Sequence, residues 1–298
     1  MKGVVYRSTG SWYNVKDTSG KMWNARIKGV LKLDGITSTN PIAVGDIVEM
    51  ELESDSEQSA TITKISDRTN YINRQSPRGR HQHHIVAANI DQSLLLATIK
   101  DPRTSQGFID RFLVASEMYH VPAIVVFNKL DLYKQKELDQ LERYTEMYER
   151  IGYRVVAISV KDKIGIDEVK AMLENKITLI SGHSGVGKST FINAISPNLN
   201  LKTKDVSGWS GKGMHTTTFA EMFDLPFEGK IIDTPGMREF GLVDVTKHEL
   251  SGYFPEMQRR LNDCQFNNCM HINEPGCAIK DAVINGEIAE ERYVSYYN

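Results

Sequence analysis

A phosphate-binding loop motif constrains the fold of this chain more than any other feature of its sequence. Residues Gly182–Ser189 have the sequence G-H-S-G-V-G-K-S, which matches the pattern G-x-x-x-x-G-K-[ST]. A predicted strand, Lys176–Ile180, precedes the motif, and a predicted helix, Thr190–Ile195, follows it. In this context the N–H groups of the loop and the helix N-terminus surround phosphate groups. The motif therefore predicts an α/β domain that binds a nucleotide.

The residues of this loop predict how the nucleotide is held. Lys188 is expected to reach the β- and γ-phosphates and to take part in catalysis, and the hydroxyl of Ser189 is expected to bind Mg²⁺. The predicted phosphate-binding residues are Gly182, Ser184, Gly185, Val186, Gly187, Lys188, Ser189 and Thr190.

A second motif lies downstream, where a predicted strand leads into the sequence D-T-P-G at Asp233–Gly236. Asp233 occupies the position of the acid that organises Mg²⁺ in P-loop NTPases, and the N–H of Gly236 is expected to sense the γ-phosphate. Between the two motifs, one hydroxyl from Thr216–Thr218 is expected to complete the Mg²⁺ coordination. The sequence does not distinguish the three threonines, and Thr217 represents them in the predicted site.

A third motif predicts which base the nucleotide carries. Asn128, Lys129 and Asp131 form N-K-x-D after another predicted strand, and an aspartate there can accept hydrogen bonds from ring N1 and the exocyclic amine of guanine. Adenine lacks this pair of donors, so Asp131 favours GTP over ATP. Ser159 and Val160 follow the next predicted strand and are expected to offer a backbone N–H to the guanine oxygen.

The order of the motifs predicts a circular permutation. The N-K-x-D motif precedes the phosphate loop in this chain, whereas it follows that loop in Ras-like GTPases. Such a rearrangement is tolerated because the termini of a domain often lie close together. In this order the segment after Gly236 leads directly into the C-terminal part of the chain, and we hypothesise that the nucleotide state moves that part.

Hydrolysis needs a group that orients water, and the usual one is absent from the sequence. Ras-like enzymes place Gln directly after D-x-x-G, but Met237 follows Gly236 here. His215, just before the threonines, is the nearest polar candidate for catalysis. The alternative is that His215 is a loop residue that packs when the nucleotide binds. In either case we expect slow intrinsic turnover and activation by a partner.

The segments on either side of the three motifs have distinct patterns. Residues 1–66 contain five short alternating stretches separated by turn residues, which predicts a small all-β barrel or sandwich. Five strands in this length fit an OB-fold barrel, which is the fold we predict. Its interleaved aromatic and basic residues fit either base stacking or a barrel core with solubilising lysines. Residues 67–84 form a predicted basic linker, because Arg68–His84 carries four arginines, three histidines and no acid. Such a run is either a solvated face or a phosphate-binding segment. Residues 85–242 alternate apolar strands with helices, which predicts a parallel sheet covered on both faces.

The C-terminal segment, residues 243–298, contains a cluster of candidate metal ligands. Cys264, Cys269, His271 and Cys277 include all three cysteines of the chain, and Cys₃His is a tetrahedral zinc set. Four protein ligands leave no open position, so we predict a small domain with one structural Zn²⁺. The unpaired thiols, together with the lack of a signal peptide and of a long apolar run, predict a cytoplasmic protein without a membrane segment.

Together these residues resemble the RsgA (YjeQ) family of circularly permuted GTPases over essentially the whole chain. The resemblance rests on Gly182–Ser189, His215–Thr218, Asp233–Arg238 and Cys264–Cys277. It implies GTP hydrolysis stimulated by the small (30S) ribosomal subunit, and a role in the late maturation of that subunit. It also implies that the OB-fold and zinc domains contact 16S ribosomal RNA and that His215 takes part in hydrolysis. The expected ligands are Mg²⁺ with GTP or GDP, and we expect the chain to act as a monomer.

Two other functions are compatible with the sequence. Met237 in place of Gln permits a GTP-gated RNA-binding module or translation factor whose output needs no hydrolysis. A factor that acts on free RNA is the other candidate, although no further catalytic constellation in the sequence supports RNA modification. Binding to the small subunit, and turnover stimulated by it, distinguish the family's function from both.

Overall fold

The computed structural model describes residues 1–27, 41–54, 57–75, 83–199, 201, 220–234 and 245–298. The predicted site residues His215, Thr217 and Gly236 lie outside these ranges, so their roles stay predictions. Three parts follow one another along the described chain: a barrel, a sheet with helices on both faces, and a small helical region at the C-terminus.

The N-terminal part is a closed five-stranded barrel. Its strands are β1 (Lys2–Ser8), β2 (Tyr13–Asp17), β3 (Met22–Ile27), β4 (Ile47–Ser54) and β5 (Ser59–Ile65). They pair in the order β1-β2-β3-β5-β4, and β4 returns to pair with β1. Alternate side chains point inward because successive residues of a strand face opposite sides, and Val5, Val15 and Trp23 belong to the buried set. The predicted OB-fold barrel is confirmed.

A β-hairpin that the sequence pattern did not predict connects the barrel to the central part. It consists of β6 (Tyr71–Gln75) and β7 (His83–Ala88), which pair antiparallel inside the expected linker and just beyond it. β7 also meets the barrel, because Ala87 pairs with Val44. The adjoining Gly45 has a φ of +92°, and a Cβ there would lie 2.0 Å from a carbonyl oxygen of β7. Glycine therefore permits the close packing of the hairpin on the barrel.

A buried ion pair holds the segment between the barrel and the hairpin. The guanidinium of Arg68 donates to both carboxylate oxygens of Asp46, at 2.6 Å each, and to the carbonyl oxygen of Pro41 at 2.8 Å. The side chains of Arg68 and Asp46 are 9% and 0% exposed. Arg68, the first residue of the basic run, therefore makes a structural contact within the protein.

Replacing Arg68 with methionine is expected to lower the free energy of unfolding by about 3 kcal/mol, because the carboxylate of Asp46 stays buried without its partner. Arg26→Met is the control. It breaks an ion pair with Glu53 in which the side chain of Arg26 is 57% exposed and that of Glu53 is 35% exposed. Loss of this exposed pair should change the free energy of unfolding by less than about 1 kcal/mol. Urea unfolding followed by circular dichroism measures both variants. Equal losses in the two would contradict the importance of burial for the Arg68 pair.

The described residues of the central part form a six-stranded sheet. Its strands are β8 (Gln92–Ala97), β9 (Ala123–Phe127), β10 (Arg154–Ala157), β11 (Ile177–Ser181), β12 (Glu221–Asp224) and β13 (Lys230–Asp233). The order is β10-β9-β8-β11-β13-β12, and every pair is parallel except β13 with β12. The carboxyl ends of the parallel strands therefore share one edge, where ligands bind in such sheets.

Helices cover both faces of this sheet. The structure has α1 (Gln106–Met118) and α2 (Gln135–Ile151) on one face, and α3 (Ile166–Leu173) and α4 (Lys188–Ile195) on the other. Neighbouring residues of β8 alternate between the two apolar cores, as the period of a strand requires. The predicted parallel sheet with two covered faces is confirmed, with the addition of β12 as an antiparallel strand.

The barrel and the central sheet are hydrogen-bonded to each other. Arg7 of β1 pairs with Glu221 of β12, which joins 11 strands of the described chain into one continuous sheet. Two barrel side chains also bind the carboxylate of Asp224, at the other end of β12. The hydroxyl of Tyr6 donates to it at 2.6 Å, and Nζ of Lys16 lies 2.5 Å from it. The barrel is therefore attached to the central part by strand pairing and by side chains.

The C-terminal part packs against the central part through α1. Its helices are α5 (Pro255–Gln258), α6 (Ala278–Ile284) and α7 (Glu290–Tyr297). Val114 of α1 lies in the same apolar cluster as Phe254 and the two buried cysteines of this region. In the described parts of the chain, no helix combines the length and the apolar character needed to cross a membrane.

Candidate functional site

The phosphate loop lies where β11 ends and α4 begins. Gly187, the residue before α4, has a φ of +94°, a conformation that residues with a Cβ rarely adopt. A Cβ on Gly187 would also lie 2.6 Å from the side-chain amide nitrogen of Asn128. The loop therefore needs glycine here both for its backbone and for the approach of Asn128. Ser189 and Thr190 follow in the first turn of α4, at the helix N-terminus.

The lysine of the phosphate loop and the acid of the D-T-P-G motif are in contact. Nζ of Lys188 lies 2.6 Å from a carboxylate oxygen of Asp233, and each side chain is 15% exposed. Asp233 is the last residue of β13 and pairs with Ile180 near the end of β11. The parallel pairing of these two strands thus brings together the two charged residues that the sequence predicts for the phosphates and Mg²⁺.

The side chain of Asn128 joins three loops of the site. Its amide nitrogen donates to the carbonyl oxygen of Val186 in the phosphate loop at 2.9 Å. Its amide oxygen accepts from the N–H of Val160 at 3.3 Å, and the residue is 2% exposed. We predicted that Asn128 helps to select guanine. In the structure its amide joins the phosphate loop to the loop after β10.

Asp131 is oriented by the loop after β10. One carboxylate oxygen accepts from the hydroxyl of Ser159 at 2.8 Å, and the other lies 3.7 Å from Nζ of Lys161. Ser159 is fully buried, whereas the side chain of Asp131 is 10% exposed. A buried hydroxyl therefore holds a carboxylate that still has access to a ligand. The carboxyl ends of the parallel strands thus bring together Asp131, Ser159, Asn128 and the phosphate loop.

A loop that no sequence motif marks forms a further wall of this region. It spans residues 98–104, between β8 and α1, and is called the β8–α1 loop below. Nζ of Lys129 donates to the carbonyl oxygen of Asp101 in this loop. The ring of Pro102 borders the phosphate loop, since a Cβ on Gly185 would lie 3.4 Å from its Cδ. Only the rule that loops after parallel strands line the ligand site could have indicated it from the sequence.

The four candidate metal ligands converge, as their spacing predicts. Their ligand atoms all lie within 4.8 Å of one another. Nδ1 of His271 is 3.4 Å from Sγ of Cys277 and 3.6 Å from Sγ of Cys264. Burial raises the pKa of the Cys269 thiol to about 12 and lowers the pKa of His271, so both neutral forms are favoured without a cation. Three thiols and one imidazole at these distances could hold a metal ion of zinc type.

The backbone around His271 is held by a carboxylate and by α7. Backbone N–H groups, first its own and then those of Met270 and Ile272, lower the pKa of Glu274 to about 2. On the other side, the hydroxyl of Tyr293 donates to the carbonyl oxygen of His271 at 2.5 Å, and that of Tyr296 donates to the carbonyl oxygen of Met270 at 2.9 Å. These contacts support the ligand set from outside it, in the manner of an outer coordination shell.

Helix α1 connects the phosphate loop to this metal-ligand cluster. The ring of His183, in the phosphate loop, contacts the ring of Phe108 of α1 at a tilt of 34°, with ring centroids 3.7 Å apart. Two residues later, Asp110 binds Nη1 of Arg292 from α7 at 2.7 Å, and Nε of Arg292 binds Glu256 at 2.6 Å. The guanidinium of Arg292 is fully buried. A buried ion pair therefore attaches the C-terminal part to the helix that borders the nucleotide site.

Two family models match the chain. The RsgA N-terminal domain matches residues 2–62, and the RsgA GTPase model matches residues 65–243. Together they cover the barrel, the hairpin and the central part.

Curated relatives match along almost the whole chain. A protein of Flavobacterium psychrophilum named small ribosomal subunit biogenesis GTPase RsgA is 52% identical over 99% of this chain and 91% of its own length. A protein of the same name from Christiangramia forsetii is 51% identical over 99% of this chain and 94% of its own length.

Solved structures match in fold as well. YjeQ from Thermotoga maritima has a TM-score of 0.80 at 34% identity, over 99% of this chain and 95% of that chain. YloQ, described as a circularly permuted GTPase, has a TM-score of 0.75 at 30% identity, over 99% of this chain and 92% of that chain. The predicted permutation of the central domain is confirmed by this match and by the order of the motifs.

Proposed function

The chain belongs to the RsgA family of GTPases, and from this premise we propose that it hydrolyses GTP on the small ribosomal subunit during the late maturation of that subunit. The observation that carries the proposal is the hydrogen bond from Asn128 to the carbonyl oxygen of Val186, at 2.9 Å. It supports one site in which a guanine-selecting motif and a phosphate loop act on the same nucleotide. The names of the curated relatives support the small subunit as partner.

At the phosphate end, the backbone N–H groups of the loop bind phosphate oxygens together with the N-terminus of α4. Lys188 neutralises the β- and γ-phosphates, Ser189 provides a hydroxyl for Mg²⁺, and Asp233 organises the ion. The ion pair between Lys188 and Asp233 supports these roles, since the two charged groups that would meet the phosphates and Mg²⁺ are already neighbours.

At the base end, Asp131 accepts hydrogen bonds from the two donors of guanine. The hydroxyl of Ser159 orients this carboxylate, and Nζ of Lys129 is held by the carbonyl oxygen of Asp101. The N–H of Val160 makes only a long contact of 3.3 Å with Asn128, and we assign to it a shared contact with the guanine oxygen. Adenine would leave the carboxylate of Asp131 without its two donors, so the site selects GTP.

Hydrolysis proceeds by attack of water on the γ-phosphorus, which releases GDP and phosphate. We propose that His215 orients the water, that Thr217 adds a ligand to Mg²⁺ and that the N–H of Gly236 contacts the γ-phosphate. The sequence alone supports these three roles. Because Met237 cannot orient water as Gln does, intrinsic turnover is slow and the ribosomal subunit completes the active site.

The Cys₃His cluster binds one structural Zn²⁺ in this proposal. Its four protein ligands complete a tetrahedral set, and the surrounding contacts of Glu274, Tyr293 and Tyr296 support a fixed geometry. We assign no catalytic role to this ion.

The barrel and the C-terminal part contact 16S ribosomal RNA in this proposal. Trp12, directly before β2, is 51% exposed and supports base stacking on the barrel. We further propose that the chain acts as a monomer, in the cytoplasm where ribosomal subunits are assembled.

GTP and ATP hydrolysis by the purified protein, alone and with isolated small subunits at a stated salt concentration, tests the function. We expect slow turnover of GTP only, which rises by about 10²-fold or more when subunits complete the active site. Lys188→Met with subunits is the control for contaminating nucleotidases. Equal turnover of GTP and ATP would overturn the guanine site. Guanine-specific turnover without stimulation would overturn the ribosomal partner and favour a GTP-gated module or a factor for free RNA.

A further inference from the structure

Tyr133 is a buried residue next to the guanine motif that no motif includes. It is 9% exposed and follows the short 3₁₀ turn Leu130–Leu132, which contains Asp131. Its hydroxyl donates to the carbonyl oxygen of Asn128 at 2.6 Å and accepts from the N–H of Ile99 at 2.8 Å. Burial raises the pKa of Tyr133 to about 12, so the hydroxyl keeps its proton and this donor role throughout the physiological range.

The two partners of the Tyr133 hydroxyl belong to different walls of the nucleotide site. Asn128 begins the guanine motif and holds the phosphate loop through Val186. Ile99 lies in the β8–α1 loop, whose Asp101 carbonyl binds Nζ of Lys129. The β8–α1 loop is also closed on itself, because the N–H of Thr98 donates to the hydroxyl of Thr104 at 3.0 Å.

We propose that Tyr133 is a positioning residue for guanine recognition, which sets the selectivity of the site for the base by fixing the N-K-x-D turn on the β8–α1 loop. This inference rests on the proposed guanine site and adds a residue to it. The hydroxyl bonds directly to the backbones of both Asn128 and Ile99. Without it, a buried carbonyl and a buried N–H lose their partner, and the turn that carries Lys129 and Asp131 shifts to satisfy them.

Tyr133→Phe removes the hydroxyl and keeps the ring. We expect the affinity for GDP to fall by about tenfold, because the aligned contacts of Asp131 are lost, while the weak affinity for ADP stays the same. The ratio of the affinity for GDP to the affinity for ADP therefore falls by about tenfold. The preference for GDP over inosine diphosphate, which lacks the exocyclic amine, should fall as well. Isothermal titration of the full chain with the three nucleotides measures these ratios.

Tyr144→Phe is the matched control, since Tyr144 is also 9% exposed, lies in the same domain and bonds to Gln140 on α2 instead of to the site. It should leave the ratios unchanged. If Tyr133 had only a structural role, Tyr133→Phe would lower the melting temperature and reduce the affinities for all three nucleotides by the same factor. That result would overturn the inference, because the ratios between the affinities would not change. If Tyr133→Phe fails to fold, Thr104→Val provides a second test. It removes the hydroxyl that accepts from the N–H of Thr98 in the β8–α1 loop, keeps the side-chain volume, and must lower the ratio of GDP affinity to ADP affinity. Failure of the wild type to prefer GDP over ADP would instead overturn the proposed function.

Discussion

Replacement of Gly187 with alanine is expected to lower the affinity for GDP by about 100-fold or more, which corresponds to about 2.8 kcal/mol. Two independent features of the structure lead to this expectation. The φ of +94° at Gly187 is strained for any residue with a Cβ. The added Cβ would also lie 2.6 Å from the amide nitrogen of Asn128, far inside van der Waals contact.

The clash at Gly187 cannot be relieved by a simple side-chain movement. Asn128 is 2% exposed, and both ends of its amide are bonded, to Val186 and to Val160. Either the phosphate loop or the guanine motif must therefore shift, and both are needed for the nucleotide. The loss should appear for GTP and GDP alike, because the phosphate loop serves both.

Gly107→Ala provides the control for this substitution. Gly107 lies near the start of α1, and a Cβ there would meet nothing within 4 Å. Alanine is the better helix former, so we expect unchanged nucleotide affinity and a gain in stability of up to about 1 kcal/mol. Fluorescence titration with a labelled GDP measures the affinities, and circular dichroism confirms that each variant is folded. GDP affinity of Gly187→Ala within threefold of the wild type would contradict the close approach of Asn128.

Much of the nucleotide site could be predicted because its motifs are local and the rules that unite them are general. Asn128 and Val186 are 58 residues apart, yet both follow strands of one parallel sheet. The loops after such strands share an edge, so motifs that are distant in sequence meet there. The metal-ligand cluster could be predicted for a simpler reason, since its four residues lie within one short segment.

The partners of buried charges could not be predicted from the sequence. Asp46 begins an acidic run and Arg68 begins a basic run, and each run by itself resembles a solvated or phosphate-binding surface. The structure instead removes these two residues from solvent and pairs them. Arg292 shows the same limit, because its partners Asp110 and Glu256 come from two other helices. Composition reports charge, whereas pairing depends on tertiary contacts.

The attachment of the barrel to the central sheet could not be predicted from the sequence either. Tyr6 and Asp224 are 218 residues apart, and their hydrogen bond depends on the place where β1 meets β12. A short strand such as β12 carries little periodic signal of its own. The hairpin β6–β7 was missed for a related reason, because its basic residues resemble a linker more than a strand.

Removal of the proposed Zn²⁺ is expected to release the C-terminal part from α1 while the nucleotide site persists. Residues 245–298 include few buried apolar residues, and a bound Zn²⁺ can contribute on the order of 10 kcal/mol to the folding of such a region. Without the ion, the segment from Cys264 to Cys277 loses its cross-link. The carbonyl groups of Met270 and His271 then no longer offer fixed acceptors to Tyr296 and Tyr293.

The loss should spread along α7 to its buried arginine. Arg292 is tolerated in the interior only while Asp110 and Glu256 surround it, and its guanidinium also stacks on Phe254, 4.6 Å from the ring centroid. Once α7 frays, hydration of the guanidinium competes with this ion pair. We therefore expect the helices of the C-terminal part to become accessible to trypsin together, with new cleavage at Arg259 and Arg260.

His271→Asn tests this expectation, with His248→Asn as the control because His248 is an exposed histidine in the same region that is not a ligand. Zinc content, tryptic cleavage and GDP affinity are measured on both variants and on protein treated with a chelator. We expect loss of zinc and rapid tryptic cleavage for His271→Asn and for the chelated protein. Their GDP affinity should stay within about threefold of the wild type, because the bonds from Asn128 to Val186 and from Ser159 to Asp131 lie within the central domain.

Unchanged resistance to trypsin after loss of the metal would mean that the ion pair of Arg292 and the apolar cluster around Phe254 suffice to hold the region. A parallel loss of GDP affinity would instead mean that α1 transmits the release to the phosphate loop, through the contact of Phe108 with His183.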